Sequence, residues 1–176
     1  MLLLAALWGF AEATLCFIVP DVCLTLIALS DRRLALTASG VAVAAAVLGG
    51  GLMHEWGRRH PQSAVDAIDR VPGISPALIA RVEHELRTRG WFPMLAGSIL
   101  AVPYKIYAVK TGALGWGRAA FLTMSVFARA IRFVALVYLT SWISGALPAG
   151  PILFRQLCVL GVWTVVYVIY FRARRA

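Results

Sequence analysis

Residues 91–115 read WFPMLAGSILAVPYKIYAVKTGALG. The run is apolar enough for a bilayer, yet it carries Pro93 and Pro103, Lys105 and Lys110, and the loop formers Gly97, Gly112 and Gly115. Proline removes a backbone donor and clashes with the turn before it. A lysine deep in hydrocarbon costs about 2.5–3.5 kcal/mol even on the gentler insertion scales. Broken backbone at membrane depth survives only where it is buried in protein or lines a wet cavity. The stretch therefore reads as a re-entrant hairpin with Pro103 near its tip. A kinked spanning helix is the plainer alternative.

A second copy lies near the start. Residues 13–22 read ATLCFIVPDV and residues 96–105 read AGSILAVPYK. Aligned without gaps, Ala13 falls on Ala96, Val19 on Val102 and Pro20 on Pro103. Glu12 and Asp21 play in the first copy the part that Lys105 and Lys110 play in the second. Paired broken segments in corresponding halves point to a transporter-type binding site.

Composition bounds the rest. The chain has 176 residues, is 61% hydrophobic and has a mean hydropathy of +0.80. That is a small integral membrane protein, long enough for one membrane domain and little more. Its formal net charge of +9 could suggest nucleic acid. However, the lysines and arginines sit between and inside apolar runs, not in a basic arm with interleaved aromatics, so nucleic acid is not expected. Basic cytoplasmic edges explain the charge better. Cys16, Cys23 and Cys158 lie in apolar segments without metal spacing or a CxxC, which suits packing. No metal site and no cofactor are expected.

Residues 1–30 are almost continuously apolar, with only Glu12 and Asp21 charged. They can form one tilted span or two short half-helices around Pro20. The small-x-small triplet Ala11-Glu12-Ala13 lacks a basic n-region before it and a polar sequence after it, which argues against signal cleavage. The chain also begins inside apolar sequence, as it would if another helix preceded it. After Asp31-Arg32-Arg33, residues 34–53 are uncharged. Their length matches a bilayer core of roughly 30 Å. The Gly49-Gly50-Gly51 run at the end of this span suits either close helix packing or fraying.

Residues 54–90 form the one long polar segment, expected as a cytoplasmic platform lying on the membrane face. Ser75 is a good N-cap with Pro76 at the first helical position. Leu78, Val82 and Leu86 then make an apolar stripe. Glu83–Arg87 and Glu85–Arg89 are favourable i,i+4 pairs, and Gly90 ends the helix. A shorter helix is expected from Pro61 to about Arg70. His54, His60 and His84 lack metal spacing and read as solvated surface. The remaining spans are residues 118–142 and 151–171, joined by the loop 145–150 and followed by a basic tail. Arg129 and Arg132, three apart, share one face of the former span. They must face the protein interior, paired with Glu12 and Asp21, with a ligand, or with both.

Topology favours the hairpin. If 91–115 is re-entrant, the polar segment with its six arginines falls on the same side as the basic tail. The loop 145–150, which has no lysine or arginine, falls on the other. That obeys the positive-inside rule; a spanning 91–115 violates it at one end. The two hairpins then enter from opposite faces, as an inverted repeat requires.

On these residues the chain resembles the DedA family, also called VTT-domain or SNARE-associated Golgi-type membrane proteins, and looks closest to its short bacterial YqaA-like branch. The resemblance runs from about Glu12 to Ser141. It is carried by Glu12…Pro20-Asp21, by Pro103-Tyr104-Lys105…Gly112, and by Phe121 and Arg129…Arg132-Phe133. Typical members carry R-F-x-P-x-x-R in the second hairpin; here residues 98–102 offer no first arginine and Lys105 stands in for the second. The resemblance implies a multi-pass protein of the bacterial inner membrane, its C-terminus cytoplasmic. It also implies translocation of an anionic lipid head group, undecaprenyl phosphate or phospholipid, with proton coupling as an option. Lys105, Arg129, Arg132, Lys110, Pro103 and Tyr104 would bind the head, and Glu12 and Asp21 would balance the charge or carry the proton. Membrane lipids are the expected partners, and a homo-oligomer stays open. The rival is a non-transporting assembly protein whose charges only lock helices. An enzyme is not expected, because no activated nucleophile is visible. The topology predicts that reporters fused after Arg89 and at the C-terminus report cytoplasmic and one after Ala149 periplasmic; opposite sides for the first two would remove the hairpin.

Overall fold

The computed structural model describes residues 1–17, 20–146 and 151–173. Among the described residues every regular element is an α-helix: α1 (Leu2–Ala13), α2 (Asp21–Ala28), α3 (Arg32–Arg59), α4 (Pro61–Asp69), α5 (Pro76–Arg89), α6 (Phe92–Ile99), α7 (Tyr104–Ala113), α8 (Arg118–Ala146) and α9 (Ile152–Ala173). Three of them, α3, α8 and α9, are long and apolar enough to cross a membrane. Half of the most apolar window of α3 is buried in protein, against a third for α8 and none for α9. The hub is therefore α3, and α9 is the element most open to its surroundings. The expected loop 145–150 and the last residues of the basic tail lie largely outside the described residues.

The expected breaks at the two V-P sites are present. The prolines open the second helix of each pair: Pro20 accepts from the Leu24 N–H and Pro103 from the Ile106 N–H, both at 3.1 Å. Lacking an N–H of its own, proline loses nothing at a helix start. The first helix of each pair ends with a long-reach bond, Cys16 N–H to Ala11 and Val102 N–H to Gly97, at 2.9 Å in each case. The first break is longer by three residues, so the gapless alignment matches the prolines but not the helix ends. Ala101, in the second break, has φ 55°, the one non-glycine with positive φ among the described residues. That conformation costs an alanine about 1–2 kcal/mol.

Helix α3 is held by glycine contacts. A Cβ on Gly49 would lie 2.9 Å from the Phe10 carbonyl oxygen of α1, and one on Gly50 would overlap the Tyr104 hydroxyl of α7 at 2.1 Å. The run 49–51 thus sits mid-helix as a packing surface and does not fray the end. Further along, a Cβ on Gly57 would meet the Val109 carbonyl oxygen at 2.3 Å, and one on Gly112 the His54 carbonyl oxygen at 2.0 Å. Along α3, the contacts place α1 on the first half and α7 on the second, both running parallel to it. Their ends meet beside Gly49 and Gly50.

The first span differs from its expected bounds of 34–53, continuing to Arg59. Glu55 carries Arg58 and Arg59 at i+3 and i+4, and these pairs sustain the last turn. His54 lies inside that extension, and its expected place in solvent is corrected: it is fully buried and stacked on Phe121, ring centroids 4.8 Å apart. Periodicity read over the polar segment alone could not see that α3 carries it into the core.

The polar segment follows its sequence signals. Ser75 accepts from the Leu78 N–H at 3.3 Å, and Gly90 ends α5 at φ 62°. Leu78, Val82 and Leu86 are buried in one core cluster with Ile106, Tyr107 and Val109 of α7. Glu83 pairs with Arg87 as expected, at 2.9 Å, but Glu85 turns to Arg81 at 3.6 Å and not to Arg89. At the far end of the chain Tyr170 of α9 donates to the Gly73 carbonyl at 3.5 Å. The end of α9 and the α4–α5 loop therefore share one end of the molecule.

The glycine contacts set a stability test. Gly112→Ala must push two helix backbones apart, whereas Gly117→Ala faces open space. In thermal unfolding the first should lower the midpoint by several degrees, an overpacking cost of about 1–3 kcal/mol, and the second should leave it unchanged.

Candidate functional site

The two breaks converge on α8. Arg129 and Arg132, one turn apart, reach to the two sides of the first break. Arg129 Nη2 lies 2.6 Å from Glu12 Oε2 at the end of α1, both side chains almost fully buried. Arg132 pairs with Asp21 at the start of α2, its Nε donating at 3.0 Å, and its Nη1 donates to the Ser98 carbonyl of α6 at 2.6 Å. One guanidinium thus ties the first break to the second. Lys105, 2% exposed at the start of α7, donates from Nζ to the Cys16 carbonyl at 2.8 Å. This second bond runs between the breaks in the reverse sense. Both join groups that helix ends leave without partners: α6 and the α1 break offer carbonyls, which cations satisfy.

Tyr104 forms the floor. Its ring lies under the Arg129 guanidinium at 4.1 Å, and its hydroxyl donates to Ser125 Oγ at 2.7 Å. Ser125 in turn donates to the Phe121 carbonyl at 2.8 Å. A cation held over a desolvated ring gains about 2 kcal/mol.

Beside these groups lies a cavity of about 100 Å³, enough for several waters. Glu12, Lys105, Arg129 and Arg132 line it, with Pro103 and Tyr104. The α4–α5 loop and Trp163, Tyr167 and Tyr170 of α9 close its far side. Glu12 and Arg129 touch as charges without an aligned hydrogen bond, since Glu12 Oε2 and Arg129 Nε and Nη2 make none of normal geometry. Buried polar atoms are nearly always satisfied, and Arg129 Nε is here a buried donor without a hydrogen bond among the described residues.

Of the residues singled out in the sequence, Glu12, Lys105, Arg129, Arg132, Pro103 and Tyr104 come together here. Asp21 stands one step behind, through Arg132. Lys110 does not join them: it points to α5 and pairs with Glu83. Two contributors were not anticipated. The α4–α5 loop left no local mark, but Trp163, Tyr167 and Tyr170 stand at i, i+4 and i+7, a helical aromatic face visible in the sequence. Among the described residues no cluster of histidine, cysteine or carboxylate side chains could hold a metal ion. No protein-family model, no curated protein and no solved structure matches the chain.

The Lys110–Glu83 link yields a pH prediction. Hydrogen bonds from Lys110 first and Arg87 second hold the Glu83 carboxyl below its usual range. A lowered folded-state value means the stabilisation is complete above the ordinary glutamate value of about 4.5 and fades as pH falls below it. Wild type should lose more of its unfolding midpoint than Glu83→Gln between neutral pH and that acidic window. At neutral pH the variant should be about 1 kcal/mol less stable.

Proposed function

We propose that this chain is a membrane carrier for an anionic head group, with two opposed re-entrant hairpins meeting at the cavity. The observation that carries the reading is a charge count. Three cations, the buried Lys105 and Arg129 and the half-buried Arg132, face two buried carboxylates, Glu12 and Asp21, which leaves one positive charge. Lys110 drops out of the count because Glu83 neutralises it. The unmatched cation is Lys105, whose one bond goes to a neutral carbonyl. An uncompensated charge away from water is costly, so an anion is wanted there. A phosphate supplies one: arginine meets it by a bidentate fork and lysine as a point charge. The Nε donor of Arg129 and the broken start of α7 add to the same pole.

The end-to-end meeting of the breaks, tied by Arg132–Ser98 and Lys105–Cys16, supports two hairpins of opposite sense, the arrangement of inverted-repeat carriers. The common end shared by the α4–α5 loop and the end of α9 supports a cytoplasmic polar segment and C-terminus. A lipid tail can remain in the bilayer while the head crosses, so a small protein suffices. Undecaprenyl phosphate or a phospholipid, the cargo implied by the DedA resemblance, fits this chemistry. Glu12, which lines the cavity, is better placed than Asp21 to exchange a coupling proton.

One observation favours the assembly rival: both arginines already have carboxylate partners, which is all a helix lock requires. Lys105 separates the two readings, because changing it breaks no ion pair. Purified protein in vesicles with labelled undecaprenyl phosphate or phospholipid should move lipid between leaflets. Lys105→Ala should cut the rate at least tenfold, Lys105→Arg should be milder, and Arg129→Ala with Arg132→Ala should abolish it. The arginine variants also strand buried carboxylates at about 3–5 kcal/mol each, so their folding must be checked. A folded Lys105→Ala that transports normally would sink the anion-site reading.

A further inference from the structure

A second and larger depression lies between α5 and α6, about 710 Å³ in volume and open to the surroundings. It shares two wall residues, Val102 and Tyr107, with the buried cavity. Those two side chains are therefore a partition with space on both sides. The α5 wall is polar: Arg81, Glu85 and Arg89 face the groove. Among the described residues Glu85 pairs with Arg81 alone, at 3.6 Å and without a hydrogen bond, so Arg89 keeps an unmatched charge. The α6 wall is apolar, and it runs out to Phe92 and Leu100, which are 64% and 72% exposed. One wall offers two guanidinium forks and the other a greasy ramp, on opposite sides of a single groove.

We infer that this groove is a vestibule that receives a phosphate-bearing lipid, with the head on Arg81 and Arg89 and a tail along Phe92 and Leu100, before the head passes the Val102–Tyr107 partition. The inference deepens the transport reading and rests on it for the last step alone. The unmatched Arg89, with Arg81 two turns away on the same wall, suits a phosphate monoanion better than a neutral head. The net charge of the groove, two arginines against one glutamate, has the sign that attracts it. The ramp favours a lipid over free phosphate, because a tail covers the exposed Phe92 and Leu100 and a phosphate ion cannot. The Tyr107 hydroxyl fits against Gly97, where a Cβ would overlap it at 2.2 Å.

The test counts bound lipids by native mass spectrometry on purified full-length protein titrated with phosphatidylglycerol. Phosphatidylcholine serves as the head-group control and inorganic phosphate as the tail-less control. Wild type should hold two phosphatidylglycerol molecules of different affinity. Arg81→Gln with Arg89→Gln should weaken one of them by about tenfold or more, as expected for lost charged hydrogen bonds. Arg81→Lys with Arg89→Lys should fall between, and Lys105→Ala should weaken the other molecule only. Circular dichroism checks that each variant remains helical. Three results overturn the vestibule: unchanged binding in the Arg81→Gln, Arg89→Gln protein, equal binding of phosphatidylcholine, or phosphate binding without the lipid. Lipid movement is read separately. If wild type moves no lipid yet loses one bound molecule on changing Arg81 and Arg89, the transport reading falls and the vestibule stands.

Discussion

Two arginines on one face of α8 are the constraint on which the rest depends. A guanidinium cannot lose its proton, so Arg129 and Arg132 must find anions wherever the helix carries them. In the buried middle of the protein they find Glu12 and Asp21, one at the end of α1 and one at the start of α2. Removing either partner leaves a buried charge alone, a cost of about 3–5 kcal/mol. The broken backbone between those two carboxylates is thereby pinned at both ends. The Ser98 carbonyl extends the same clamp to the second break. The discontinuities of this chain are therefore anchored structure.

Close packing around α3 makes the clamp possible. Where Gly49 and Gly50 expose bare backbone, α1 and the Tyr104 end of α7 both approach within contact distance. Backbones that approach this closely gain dispersion contact along their whole length. It brings the end of α1 and the start of α7 to one level on α3, and so brings Glu12 and Lys105 to one cavity. Further down, Gly57 and Gly112 fix the other half of α7, and the Glu83–Lys110 pair fastens α5 to it. The polar segment is thus part of the same packed body and contributes a wall to both cavities.

The charges that hold the fold also line the cavity, and their division is informative. Arg129 and Arg132 serve the fold through their carboxylates, yet Arg129 keeps donors unused and Arg132 still lines the cavity. Lys105 serves it least, with one carbonyl as its partner.

The sequence by itself marked the long apolar helices and the prolines where a break is possible, while residues 1–30 stayed open between one tilted span and two half-helices. Hydropathy marked the three long apolar helices, and the prolines marked the two breaks, because a missing N–H is a local property. Ser75, Pro76 and Gly90 bounded α5 for the same reason. The sequence also picked out Glu12, Lys105, Arg129 and Arg132, since charge in an apolar run is visible without a fold. Only the tertiary structure decided who partners whom. Lys110 and Lys105 look alike along the chain, but five residues of helix turn one toward Glu83 and the other toward the cavity. His54 sits beside charged residues in sequence, yet α3 carries it under Phe121. Glu85 had arginines four residues away on both sides, and packing at the groove gave it Arg81. The α4–α5 loop lines the cavity because the end of α9 lies against it. Each of these depends on a direction around a helix axis and on a neighbour distant in sequence, which local pattern does not encode.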